Sequence, residues 1–384
     1  MNNSEPNNNS ESEDRTALWA STMGGHQIGE APIRLAHSDS TAHIGIAARM
    51  NRATREHLEE LTLVSGATAS TGAGNRAVTE EPDPERTCFE RDRDRILHSP
   101  AFRRLSGKTQ VFVFPEDHQR TRLTHALEVA QVAVAISRSL GLNLALTEAI
   151  ALGHDCGHGP GGHASEDAFS PYIPGGYDHA VWGADTVLQP LNLCSETLDG
   201  IRNHSWSRPA PLTPEGEVVS WADRIAYVCH DFEDAAHVGI VIPEQLPALV
   251  RERCGERRSQ QLSSFISAVV QAARETGQIG MTDKLAEALT EFRRFNYEQI
   301  YMRTESLAQS ATVIRILRAL VEHHGSHPDQ LPALQARETA LESDSAEALA
   351  QAVTYVGGMT DRYAFLQAQQ LLGWNSNDLP VGIL

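Results

Sequence analysis

The chain has 384 residues, 50 of them acidic against 32 basic, for a formal net charge of −18 at pH 7. So acidic a chain repels duplex nucleic acid, which argues against nucleic acid as the main partner unless basic residues are gathered in one place. No apolar run reaches the roughly 18 residues of a membrane span, the cysteines have no paired spacing, and the N-terminus lacks a basic-then-apolar leader pattern; a soluble, cytoplasmic protein without a membrane partner is expected.

Residues 1–85 are rich in Asn, Ser, Glu, Gly and Thr and poor in large apolar residues, which reads as a flexible tail. Within it NRATREHLEELTLV (51–64) predicts one short helix, and SGATASTGAGNRAVTEEPDPE (65–85) reads as a linker. From Arg86 the character changes. GKTQVFVFP (107–115) is the best strand pattern and predicts a short hairpin arm. In LTHALEVAQVAVAISRSL, the positions Leu123, Leu127, Ala130, Val134 and Ile136 form a helical stripe closed by Gly141. Thr147 is expected to cap the next helix, TEAIALGHD. EGEVVSWADRIAYVCHDFEDAAHVG (215–239) predicts one long helix, and amphipathic stretches such as SSFISAVVQAARE and TVIRILRALVEHH continue the helical pattern. The expectation is a mostly α protein without internal repeats: a tail over 1–85, a helical core over 86–240 and a C-terminal helical region over 241–384.

The densest chemistry lies in GHDCGHGPGGHASED (153–167), with three histidines, three acidic residues and five glycines. Taken alone it reads as a metal site, a phosphate cradle or a His-rich loop. His125, the adjacent His154 and Asp155, and Asp223 sharpen the first reading. Imidazole and carboxylate without thiolate suit an octahedral divalent ion such as Mg, Mn, Fe or Co. Asp223, Tyr227 and Asp231 recur every fourth residue and so share one helical face. Arg122 lies one turn before His125 and reads as a phosphate clamp, with Arg120 and Arg104 as alternatives and RRLSGK plus RTR as a local store of positive charge. His163 and Glu166, three apart, can share a face of a helix beginning near Ala164.

A His, then HD about thirty residues on, then Asp about seventy later resembles the HD-domain phosphohydrolases. The blocks RDRDRILHSPAFRRLSGKTQVF, RTRLTHALEVAQVA, EAIALGHDCGHGPGGHASE, WADRIAYVCHDFEDA and GGMTDRYA stand in the order of the deoxynucleoside triphosphate triphosphohydrolases, the dGTPase-like family. This resemblance implies an HD-domain helical core, with the C-terminal region completing the substrate site and making oligomer contacts. It implies hydrolysis of a dNTP to deoxynucleoside and inorganic triphosphate at one ion held by His125, His154, Asp155 and Asp223. It gives His163 the proton transfer with Glu166 in support, and places His158 near the phosphates and His179 facing the substrate. Tyr227 and Asp231 would contact the sugar, Gln110 the sugar and base, and Arg293 and Tyr301 the distal phosphates and base edge. It also implies a homo-oligomer, hexamer or tetramer, and a nucleotide activator. The alternatives are another HD-domain nucleotide phosphohydrolase, acting on monophosphates or cyclic nucleotides, and a non-enzymatic nucleotide-sensing scaffold. Where the family shows HDLGHPPFGH this chain has HDCGHGPGGH, with Cys156 for Leu and Gly161 for Phe; the lost aromatic is expected to leave space beside the site.

Overall fold

Asn51, Thr87, Asn143 and Thr213 each begin a helix, because a short polar side chain there accepts a backbone N–H of the first turn. The computed structural model describes residues 8–22, 24–27, 29–30, 32–45, 49–113, 119–332 and 341–380. Among these are 16 α-helices and a single two-stranded ribbon, so the chain is mostly α as expected. No helix of the described residues is long and apolar enough to cross a membrane.

Residues 1–49 form one unit, with α1 (Asn8–Thr22) and an antiparallel ribbon of β1 (His26–Gln27) and β2 (Arg34–Leu35). Residues 50–384 form the other. Its first helices are α2 (Arg52–Thr62), α3 (Cys88–His98), α4 (Pro100–Arg104), α5 (Arg122–Leu140) and α6 (Leu144–Gly153). The short α7 (His163–Phe169), α8 (His179–Trp182) and α9 (Ser195–Arg202) precede the long α10 (Pro214–His237). Then come α11 (Ala248–Cys254), α12 (Arg258–Thr276), α13 (Asp283–Asn296), α14 (Thr304–Ser326), α15 (Ala346–Gly357) and α16 (Asp361–Leu372). The larger apolar core is built by α3, α5, α6 and α10 with α11 to α13, and includes Ile150, Ile225, Phe265 and Phe292. A second core joins α7 to α14, α15 and α16 around Phe169, Leu317 and Phe365. Val250, Phe265 and Phe292, from beyond residue 240, share one core with Ile150 and Val219.

The tail expected over 1–85 ends instead near Met50. Helix α2 forms where anticipated, but the linker after it is tied down. Glu59 accepts the Ser70 N–H at 2.6 Å and hydroxyl at 2.9 Å, while the buried Glu215 of α10 accepts the Thr68 N–H at 3.1 Å and hydroxyl at 2.8 Å. Small polar residues look like a linker by composition, yet each is a hydrogen-bond donor that a buried carboxylate can use. Arg76 enters the core outright. Its Nη1 lies 2.6 Å from Asp92 Oδ1, with the two side chains 1% and 0% exposed. Arg76→Ala would leave the Asp92 charge buried without its cation, so a loss of about 3–5 kcal/mol in unfolding free energy is expected. Chemical denaturation measures it, and a loss below about 1 kcal/mol would show that the surrounding hydrogen bonds suffice.

Three local expectations are corrected. GKTQVFVFP makes no hairpin among its described residues, only one bridge between Thr109 and Thr121; Phe114 and Pro115 lie outside the described residues. Thr109 is instead held by the buried Asp361, which accepts its N–H at 2.9 Å and its hydroxyl at 2.5 Å. On α5 the buried face runs through Arg122, His125, Ala126, Val129, Ala133 and Ile136, leaving Leu127 exposed, because close packing against α6 and α10 selects the small residues. The cap of α6 is Asn143, whose side chain accepts the Leu146 N–H at 3.1 Å, while Thr147 lies inside the helix with its hydroxyl on the Asn143 carbonyl.

Candidate active site

Helix α6 is apolar and buried nearly throughout, so the chain emerging from it at Gly153 delivers His154 and Asp155 into the interior. Facing them are His125 on the first turn of α5 and Asp223 in the middle of α10. The four expected metal ligands come together. His125 Nε2 is 3.0 Å from Asp223 Oδ1 and 4.0 Å from Asp155 Oδ2, and His154 Nε2 is 3.5 Å from Asp155 Oδ1 and 3.7 Å from Asp223 Oδ1. His154 Nδ1 donates to the Ala151 carbonyl at 2.7 Å, which leaves its fully buried Nε2 as a lone pair with no partner. An unused buried lone pair among carboxylate oxygens is what a divalent ion would satisfy, so this donor set fits the group. Burial alone would raise the Asp155 carboxyl, but Arg122, His154 and His158 reverse this and hold it well below the usual carboxylate range. Asp223 is lowered likewise, against its burial, by His125, His154 and His204.

Cys156 stays out of the cluster. It is buried, and burial pushes its thiol up to about 12, so no thiolate is offered to an ion.

The proton-handling residues are wired differently from the expectation. His163 Nδ1 lies 3.4 Å from Glu166 Oε2, so that pair exists. But Glu166 Oε1 is taken by His179, through both its Nδ1 and its backbone N–H, the latter at 3.1 Å. His179 is buried whereas the His163 side chain is 73% exposed, so the carboxylate anchors an inner histidine with one oxygen and faces an outer one with the other. Burial would raise Glu166, and the hydrogen bonds of His163 and His179 overcome it and keep it strongly lowered. His158 stacks on His179 with ring centroids 3.7 Å apart and reaches Asp155 Oδ1 at 3.3 Å, next to the ligand cluster.

Arg122 is fully buried and donates from Nη1 to Asp155 Oδ2 at 2.7 Å; its Nε and Nη2 have no partner. It therefore fixes a candidate ligand and keeps two donors unpaired. Arg120 is spent on Asp231 at 3.2 Å and Asp234 at 2.9 Å, so it is no free clamp. Nor does Lys108 of RRLSGK face a ligand: its ammonium is buried against the carbonyls of His158 and Gly357. On α10, Tyr227 accepts from Arg293 Nε at 2.9 Å, and Asp231 Oδ2 accepts the Tyr301 hydroxyl at 2.5 Å. The expected sugar and base contacts are thus linked to one another across α10 and the segment after α13. Gln110 lines the same space with Oε1 buried and unpartnered.

His125, Asp155 and Asp223 of the cluster, with Arg122, Tyr227 and Arg293, line a cavity of about 530 Å³, within the roughly 300–1,000 Å³ of ligand sites. It is lined both by the α5 and α10 residues and by Val313 of α14, so the two cores meet at it. Two polar lining residues, His204 and Arg224, were missed from sequence. His204, after α9, is a buried lone histidine with no spacing signal. Arg224, next to Asp223, stacks its guanidinium 3.5 Å from the ring centre of Trp206. Among the described residues neither Arg224 nor Arg293 makes an ion pair, which leaves two cations facing the cavity. Adjacency of Arg224 to a ligand was its only clue.

The glycine turn is not a phosphate cradle. The Gly159 N–H donates to Ser165 Oγ at 3.0 Å and the Gly161 N–H to Asp361 Oδ1 at 2.9 Å, so these amides are committed within the protein. Nor does Gly161 leave space. Its φ is +73°, and a Cβ there would lie 2.4 Å from Val313 Cγ1, so Val313 fills the place beside it. Gly161→Ala is expected to cost about 1–3 kcal/mol from the left-handed backbone and the clash. Thermal unfolding of Gly161→Ala and of Gly161→Ala with Val313→Ala separates the two causes: recovery in the double variant identifies the clash.

Residues 122–228 match the HD domain, and residues 279–370 match the phosphohydrolase-associated domain. The first segment contains all four candidate ligands. A deoxyguanosinetriphosphate triphosphohydrolase-like protein of Caldanaerobacter subterraneus subsp. tengcongensis is 38% identical over 334 residues, covering 83% of this chain and 95% of the relative. One of Clostridium perfringens strain SM101 is 38% identical over 324 residues, covering 80% and 93%. One of Clostridium tetani is 34% identical over 329 residues, covering 81% and 93%. At this identity, over nearly the full length of those relatives, the chain belongs to the family of deoxyguanosinetriphosphate triphosphohydrolase-like proteins, which carry an HD domain.

Proposed function

We propose that the protein hydrolyses deoxynucleoside triphosphates, dGTP among them, to deoxynucleoside and inorganic triphosphate. The observation that carries this is one cavity running from His125, Asp155 and Asp223 of the cluster to the guanidiniums of Arg224 and Arg293. The names of the relatives support the same substrate. His125, His154, Asp155 and Asp223 would hold a divalent ion (Mg, Mn, Fe or Co), which would supply Lewis acidity at the α-phosphate and a more acidic water.

The chain's own residues do the rest. Water adds to the α-phosphorus, the bond from phosphorus to O5′ breaks, and O5′ takes a proton as the nucleoside leaves. His163 is the exposed acid for that proton, with Glu166 on its Nδ1 and His179 holding the other oxygen of Glu166. Arg122 offers its two unpaired donors to the α-phosphate end, and Arg224 and Arg293 neutralise the rest of the triphosphate. Tyr227, braced by Arg293, stands beside Asp223 and Asp231 on α10, where its ring opposes an added 2′-hydroxyl. Positioning and charge stabilisation carry most of the rate in phosphoryl chemistry.

The test is product analysis for each dNTP, singly and mixed, with Mg²⁺ or Mn²⁺. Inorganic triphosphate and deoxynucleoside in equal amounts are expected. Orthophosphate or pyrophosphate as first product would overturn the reading.

A further inference from the structure

We propose that Asp361, the first residue of α16, positions His163 for catalysis by fixing the glycine turn from which α7 starts; this rests on His163 being the acid. The block GGMTDRYA, which contains Asp361, has no part in the chemistry above, and none of its residues 357–364 lines the cavity. Its contacts nonetheless run to the cavity wall. The Asp361 carboxylate is buried and takes three donors. Oδ1 accepts the Gly161 N–H at 2.9 Å, and Oδ2 accepts the Thr109 N–H at 2.9 Å and hydroxyl at 2.5 Å. Gly161 and Thr109 both line the cavity, and Asp361 stands 200 residues past Gly161. Lys108 ties the same segments: its ammonium bonds to the carbonyls of His158 and, at 2.9 Å, of Gly357. Each of the segments 107–109, 158–161 and 357–361 is thus bonded to the other two. They also touch closely, since a Cβ on Gly107 would lie 2.8 Å from Thr360 Cγ2.

The turn needs such a tie because its own backbone does not choose a shape. Gly161 and Gly162 both take positive φ, +73° and +63°, which glycine adopts about as readily as negative φ. A bond from outside the turn therefore decides where it sits. From Gly162 the placement passes to the acid. The Ser165 N–H and hydroxyl donate to the Gly162 carbonyl at 2.9 and 2.6 Å, and the same hydroxyl accepts the Gly159 N–H at 3.0 Å. The glycine turn and the first turn of α7 are thus joined, with His163 and Glu166 carried on the latter. Asp361 does not line the cavity and acts through these bonds, so it is a positioning residue. A displacement of about 1 Å in a catalytic group can cost about 10²-fold in rate.

The experiment is a double-mutant cycle on kcat for dGTP with Mn²⁺, read as inorganic triphosphate released by the full chain, with folding checked by circular dichroism. Asp361→Asn keeps the shape of the side chain but turns one acceptor into a donor, so it cannot hold both Gly161 and Thr109 as the carboxylate does. It is expected to lower kcat about 10–100-fold, with metal per chain unchanged and KM within about threefold. In the His163→Ala background the same substitution is expected to cost less than about threefold, because no acid is left to misplace. Equal losses in the two backgrounds would assign Asp361 to the fold alone and overturn the proposal, as would a folded Asp361→Asn with undiminished kcat. Either result leaves triphosphate release standing. His163→Ala with undiminished kcat would overturn the acid role and this proposal with it, and no triphosphate from the unaltered protein would overturn the proposed function and the proposal together. If Asp361→Asn does not fold, Thr109→Val, which removes the shortest of the three bonds, takes its place in the cycle with an expected loss of about 3–10-fold. Equal losses in the two backgrounds overturn the proposal there as well.

Discussion

Asp223→Asn is expected to lower triphosphate release from dGTP by about 10³-fold, because the ion it helps to hold supplies several kcal/mol of charge stabilisation at about 1.4 kcal/mol per tenfold in rate. The carboxylate is kept ionised by the histidines around it, and its Oδ1 is the nearest oxygen to His125 Nε2 and a neighbour of His154 Nε2. An amide oxygen in its place keeps the shape but loses the charge. The fold should survive, since the side chain is 23% exposed on a helix whose other face is deep in the core. The measurements are kcat, metal per chain and unfolding midpoint. A variant with near-normal kcat would show that Asp223 is not a ligand, whatever its position.

Glu166→Gln should reduce kcat by roughly 10²–10⁴-fold with a much smaller change in KM, the range for loss of general acid–base assistance. The carboxylate is shared: one oxygen receives the buried His179 and the other the exposed His163. Gln keeps one acceptor and turns a donor toward the second partner, so that ring must switch to the tautomer that accepts at Nδ1. Because the ionised form of Glu166 is strongly favoured, its own titration should not set the acid limb of the rate profile. Comparison with His163→Ala divides the effect. Equal losses would mean that Glu166 acts through His163 alone, and a larger loss for Glu166→Gln would bring in His179.

Much of this was legible along the chain because helices report themselves locally. Asn51 and Gly141 cap where their side chain or left-handed backbone is needed, and the run 215–239 is α10 almost to the residue. Residues at fixed helical spacing, such as Asp223, Tyr227 and Asp231, could be placed on one face before any fold was known. The five blocks resembling the dGTPase-like family then joined four separated residues into one cluster, as the structure does.

Other features depend on which surfaces meet, and no local period carries that. The stretch 65–85 looks like a linker until Glu59, Glu215 and Asp92 approach it from other helices. Gly161 looks like missing bulk until Val313, far along the chain, is packed against it. Glu166 stands three residues from His163, so that pair was visible, but its shorter contact is with His179 across a turn. His204 carries no motif of its own and reaches the cavity only because α9 packs against α6 and α10. Spacing fixes what neighbours on one element can do together, whereas contacts between elements follow from burying apolar faces against one another, and it is that burial which brought His179 and His204 nose to nose.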